Sequence, residues 1–190
     1  MPSQLDVINF ALTEIGRPPV TNADYQPSSQ LMAAKLPVLL GKFLQLTDWN
    51  YTIQFVIDNT PMVSAFSPDF LYSYQLPPDF LRFDRMSPLT TNFGLYYRII
   101  DSLLCTNMKP IQYYYVSNAL DYELLPPTSF MALSQYLASE SAMALTNNVT
   151  LTGYIRKKYE ASLSDAMRFN DMERYVQSMP YNDFDRQTYI

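Results

Sequence analysis

The chain has 190 residues and a formal net charge of −5, which argues against a protein that holds nucleic acid by neutralising phosphates. Histidine is absent and cysteine is single (Cys105), so the commonest general base, the commonest metal ligand and any disulfide within the chain drop out together. Hydrophobic residues make up 48% and charged residues 16%, a globular composition that needs no disulfide or metal to build a core.

Ser3, with Asp6 three residues on, has the pattern of a helix-capping box. Leu5, Ile8, Ala11, Leu12 and Ile15 make the buried stripe of a first helix, and Gly16 ends it. Arg17-Pro18-Pro19-Val20 leads out in an extended conformation. Pro27-Ser28-Ser29 opens a second helix predicted to run to about Trp49, apolar on more than one side through Leu31, Met32, Leu36, Leu39, Leu40, Phe43 and Leu44. Pro37 inside it should kink the helix or split it in two.

From Tyr51 the period changes. The stretches 52–57, 71–76, 80–86, 95–100, 103–106 and 111–116 read as strands of a small antiparallel sheet, with turns at Pro77-Pro78-Asp79 and Asp101-Ser102. Its prolines belong at turns or edges. After Pro126-Pro127, with Thr128 as the expected cap, helical spacing returns through Phe130, Leu133, Leu137, Met143 and Ala144. Thr146-Asn147-Asn148 interrupts it. Leu151, Ile155, Tyr159, Leu163 and Ala166 then mark a fourth helix to about Asn170. A connection this short predicts an antiparallel helical hairpin. From Met172 to Ile190 the period is lost.

The predicted fold class is therefore α+β and mainly helical: an antiparallel helix bundle with a small antiparallel β insertion between the second helix and the C-terminal hairpin. Residues 1–50 and 126–171 form the bundle, 51–125 the β-rich insertion and 172–190 a C-terminal arm. That arm is either a frayed end or a segment that orders only against a partner. The first apolar stretch is broken by Asp6, Asn9 and Glu14, so no secretory leader is expected, and no run approaches the length of a membrane span.

Chemistry-bearing motifs are few. The four glycines are scattered singly and build no phosphate-cradling loop. Asp79 with Asp84, or Glu140 with Asp165, could pair for acid–base work, but nothing in the sequence brings either pair into an apolar cleft. No catalytic residue, cofactor or metal is expected. Arg156, Lys157 and Lys158 form the densest basic cluster; on a helix they point in different directions and read as a solvated face with ion pairs to Glu160 or to a neighbouring chain. Tyr113-Tyr114-Tyr115 could stack single-stranded bases, though only Arg98 and Lys109 are near to supply a basic groove. The 16 tyrosines suit either sheet packing or a partner interface. Candidate partner-interface residues are Arg156, Lys157, Lys158, Tyr175, Tyr181, Phe184, Tyr189 and Ile190.

The order of landmarks resembles the tail tubular protein A family, the head-to-tail adaptors of short-tailed bacteriophages. The similarity runs through Ala11-Leu12-Thr13-Glu14-Ile15-Gly16-Arg17-Pro18-Pro19-Val20, then Asp48-Trp49-Asn50 after a long helix, then Leu76 to Arg82. It continues through Pro127, Phe130, Ala132, Leu133, Leu137, Ala138, Ala142 and Thr146 to Tyr159. It covers roughly residues 3–171 and departs at Asn59–Leu71 and in the tail. The resemblance implies a dodecameric ring docked under the portal protein, extending the DNA channel and receiving the distal tail protein. It implies a virion protein made in the host bacterial cytoplasm, with double-stranded DNA passing without specific binding, no membrane partner and no catalysis. Three alternatives remain open at this stage: a single-stranded nucleic-acid binding module using the tyrosine-rich sheet, another virion neck or tail completion protein, and a hydrolase with a carboxylate pair.

Overall fold

The computed structural model describes residues 2–23, 26–63, 69–87 and 97–173. Over these residues the protein is α+β, with four helices and antiparallel sheets. Helix α1 spans Gln4–Glu14. Its start is the expected capping box: the Asp6 amide donates to Ser3 Oγ (3.3 Å) and the Ser3 amide donates to the Asp6 carboxylate (2.8 Å). The Ser3 hydroxyl, which donates to the same carboxylate at 2.7 Å, and then the Ser3 amide hold the Asp6 pKa below its usual value. Gly16, at φ 75°, takes the left-handed turn that ends the helix.

Helix α2 spans Pro27–Gln45 without interruption, so Pro37 does not split it. Pro37 is exposed, where water can take the carbonyl that its missing N–H leaves open. The helix stops four residues short of Trp49. The chain then folds back, and the Trp49 indole stacks on Phe43 at 4.9 Å and donates its N–H to the Phe43 carbonyl (3.0 Å). The Phe43 carbonyl, in the last turn of the helix, thus accepts from the Trp49 indole as well as from the Leu46 amide (3.2 Å).

The β region comprises β1 (Ile53–Asp58), β2 (Met62–Val63), β3 (Tyr72–Gln75), β4 (Phe80–Met86), β5 (Tyr97–Ile100), β6 (Leu103–Thr106) and β7 (Ile111–Ser117). It forms two sheets, ordered β1-β7-β4 and β2-β3-β6-β5, instead of the single sheet expected. The chain passes from one to the other at Pro77-Pro78, whose missing N–H groups cannot continue a ladder. The sheets still share a core, since Tyr74 and Leu104 of one pack with Ile111, Tyr113 and Tyr115 of the other. The turn after Pro78 is locked by Asp79, which accepts from the hydroxyls of Tyr115 (3.0 Å) and Ser117. Burial works to raise the Asp79 pKa, and the hydrogen bonds from Ser117 and Tyr115 outweigh it, holding the carboxyl below its usual value.

Helices α3 (Pro127–Thr146) and α4 (Val149–Met172) are joined by Asn147, at φ 50°, and Asn148, whose side chain accepts from the Leu151 amide. Pro127 opens α3, so Thr128 lies inside its first turn and is not the cap. Helix α3 packs on α1, α2 and α4, which makes it the centre of the bundle. Two residues assigned to its buried stripe, Met143 and Ala144, are exposed. The positions that are buried include Ala132, Ala138 and Ala142, together with Ser129, Ser134, Gln135, Ser139 and Ser141. Small side chains let three helices approach α3 closely. The hydroxyls of Ser134 and Ser139 turn back to helix carbonyls, each at 2.8 Å, so they are buried with partners.

Candidate assembly surfaces

Because α3 is central, α2 and α4 each present an outer face. On α2 the exposed positions Ala34, Pro37, Val38, Lys42 and Gln45 surround Gly41. On α4 they are Val149, Tyr154, Arg156, Lys157, Glu160 and Ala161, surrounding Gly153. Val38 is 63% exposed, Tyr154 61% and Val149 72%, so both faces leave apolar side chains in water. Among the described residues, a Cβ added at Gly41 or Gly153 would meet no atom within 4 Å. Glycine inside a helix costs about 1 kcal/mol relative to alanine, and packing among the described residues gives no reason for that cost.

The basic cluster divides as helical geometry requires. Arg156 lies 3.7 Å from Glu160 on the exposed face. Lys157 is exposed. Lys158 instead turns inward and pairs with Glu14 of α1 at 2.7 Å, so one of the three binds the bundle together. Glu14 sits at the C-terminal end of α1, where the helix dipole disfavours a negative charge, and Lys158 offsets that. The other candidate interface residues, Tyr175, Tyr181, Phe184, Tyr189 and Ile190, lie outside the described residues.

The tyrosine triplet does not form one platform. Strand alternation sends Tyr113 and Tyr115 into the core, where burial pushes both phenols up to about 12. Tyr114 alone faces outward, against Phe55 at 4.8 Å and under the Arg85 guanidinium at 4.5 Å. With Ile57 these residues make an exposed patch on the outer face of the three-stranded sheet; Phe55 is 45% and Ile57 55% exposed. This patch was missed in the sequence. Its signal was the alternation of Phe55 and Ile57 with Val56, whose side chain joins the core between the sheets.

The proposed carboxylate pairs find other partners or none in common. Asp79 is committed to Tyr115 and Ser117, and Asp84 pairs with Arg85 at 2.8 Å. Asp165 lies on the exposed face beside Arg168 at 3.8 Å. Among the described residues, no group of three His, Cys, Asp or Glu side chains could hold a metal ion. An open groove of about 400 Å³ runs between the start of α1 and Thr21–Ala23, and its described lining (Ser3, Gln4, Leu5, Ile8, Thr21, Asn22, Ala23) carries no ionisable side chain. Among the described residues no helix is long and apolar enough to cross a membrane. No family model matches the chain, and no curated protein matches it.

Proposed function

We propose that this chain is a structural head-to-tail adaptor of a tailed phage, a ring subunit that sits under the portal protein, extends the DNA channel and receives the distal tail protein. The observation that carries this reading is the pair of mid-helix glycines, Gly41 and Gly153, on two different outer faces of one bundle. A neighbouring copy that approaches each helix closely supplies a reason for glycine that packing among the described residues does not give. Contact between two unlike faces is heterologous, and such contacts close into rings when the rotation between copies allows it. The landmarks of the family resemblance occupy structural positions consistent with this role: the Gly16 turn, Trp49 folded over α2 and the Asp79 turn.

In this reading the net charge of −5 keeps double-stranded DNA moving through the ring, because a wall that repels phosphate does not hold it. The protein acts in the virion neck without catalysis, and the arm from 174 onward contributes to docking on the portal. The reading is tested by cysteine pairs on the two faces. Val38→Cys with Lys157→Cys should give copy-to-copy cross-links in assembled particles, ending in a closed ring. The native Cys105 is fully buried and will not compete. Assembled particles without any such cross-link would overturn the face assignment.

A further inference from the structure

We propose that the outer face of the three-stranded sheet receives a second copy of this chain, through the short turn that leads into α3. Leu124 of the incoming copy lies against Phe55 and Tyr114, and its Glu123 faces Arg85. This deepens the ring reading and rests on it, since it names a copy-to-copy contact beyond the two helix faces.

The receiving surface is a row across three paired strands. Phe55 of β1 stands opposite Tyr114 of β7, and Tyr114 stands opposite Arg85 of β4. Two aromatic rings in contact are therefore bordered by a guanidinium that is 57% exposed, and Ile57 extends the apolar part. The hydrogen bond from Arg85 to Asp84 engages one of five guanidinium N–H donors, so the rim still offers several.

The inserting surface is the single 3-10 turn Tyr122–Leu124. Leu120, Tyr122 and Leu125 pack on the core of the bundle, and the Asp121 carboxylate accepts from the Glu123 amide at 3.0 Å. The turn is thus fixed on both sides, and Leu124, 63% exposed, is the apolar side chain it holds out. Glu123 beside it is exposed, and among the described residues no ion pair engages its carboxylate. An apolar side chain next to a carboxylate complements an aromatic pair next to a guanidinium, and a turn already ordered loses little freedom on docking.

The two surfaces also lie beside the two helices assigned to the ring contact. Strand β4, which carries Arg85, touches α2. Pro126, two residues after Leu124, lines a small cavity together with Phe169 and Asn170 of α4. The contact joins unlike surfaces, so it runs head to tail from copy to copy. Pairing a cation with a carboxylate fixes which faces meet, because a chain of net charge −5 otherwise repels its own kind.

The test uses full chains in assembled particles, each with a diazirine-bearing leucine analogue at position 124. Illumination should place the adduct on β1 or β7 in a product of dimer mass or above. Arg85→Glu alone and Glu123→Arg alone should each lower the yield by about fivefold, the scale of one exposed charge contact turned repulsive. Mixing the two variants should restore it, because the reversed rim of one then meets the reversed turn of the other. An adduct at monomer mass, an adduct on another element or no recovery on mixing would overturn the proposal. So would a single-stranded DNA oligonucleotide that binds saturably and displaces the adduct. The helix faces report separately: cross-links from Val38→Cys with Lys157→Cys but no adduct on the sheet would remove this contact and leave the ring reading standing. Absence of both products would remove both.

Discussion

Asn50 and Asn170 hold each other by two hydrogen bonds, from the Asn50 amide to Asn170 Oδ1 and from Asn50 Nδ2 to the Asn170 carbonyl, both 2.8 Å. Asn170 Nδ2 also donates to the Asp48 carbonyl at 2.9 Å. One buried side chain therefore joins the end of α4 to the segment that leads from α2 into β1. Asn170→Ala removes the side-chain partner of the Asn50 amide and the Asn170 donor to the Asp48 carbonyl together. The expected loss is about 3 kcal/mol, measured by denaturant unfolding. Asn170→Asp keeps the acceptor but loses the donor and buries a charge, so it should be no better than alanine. A loss below 1 kcal/mol, on the order of one ordinary hydrogen bond, would mean that this joint is not structural.

The ion pair between Lys158 and Glu14 makes a second prediction. Lys158→Ala leaves the Glu14 carboxylate, only 12% exposed, facing a helix C-terminus without its cation. Lys158 itself is 38% exposed, so solvent screens the pair and the cost should be modest, about 1 kcal/mol. A double-mutant cycle with Glu14→Gln should return a coupling of the same sign. Zero coupling would show that Lys158 serves only as packing.

Much of this architecture was legible in the sequence, and the failures have local causes. The capping box at Ser3 and Asp6, the Gly16 stop, the Asp101 turn and the hairpin at Asn147-Asn148 depend on contacts within a few residues, which a sequence displays. The reading failed where distant packing decides. In α3 the expected apolar stripe included Met143 and Ala144, which are exposed, while Leu133 and Leu137 are buried as expected and share the buried side with serines and alanines where three helices crowd it. Hydroxyls that bond their own helix look polar in sequence and behave as small core residues. Trp49 was placed inside α2, although the ring that ends a helix sits one turn past it. The two sheets were read as one since strand pairing is not local. The glycines at 41 and 153 were visible, but their meaning required knowing that nothing lies against them.

At high pH the buried phenols should limit stability. Burial raises Tyr74, Tyr113, Tyr115 and Tyr159 each to about 12. A phenol whose folded pKa lies above its unfolded value of about 10 binds its proton more tightly when folded. Its contribution is complete below pH 10 and is lost as pH rises from about 10 through about 12. Unfolding followed by circular dichroism should begin in that window, together with a rise in tyrosinate absorbance. Titration of Tyr113 and Tyr115 at the ordinary phenol value while the fold is intact would contradict the packing of β7.

Gly41 separates chain stability from assembly. Gly41→Ala should stabilise the isolated chain by up to about 1 kcal/mol, since its Cβ meets no atom and helix propensity improves. Gly41→Leu should fold as well as Gly41→Ala yet fail to assemble, because the larger side chain keeps the neighbouring copy away. Normal assembly of Gly41→Leu would remove α2 from the contact.

The most direct test of the adaptor reading is to mix the purified chain with the portal ring encoded by the same genome and to measure the mass of the product by single-particle imaging. The account predicts a complex heavier than the portal by one closed ring, about twelve chains if the copy number that the family resemblance implies holds. A portal that keeps its own mass at every salt concentration tested would contradict it.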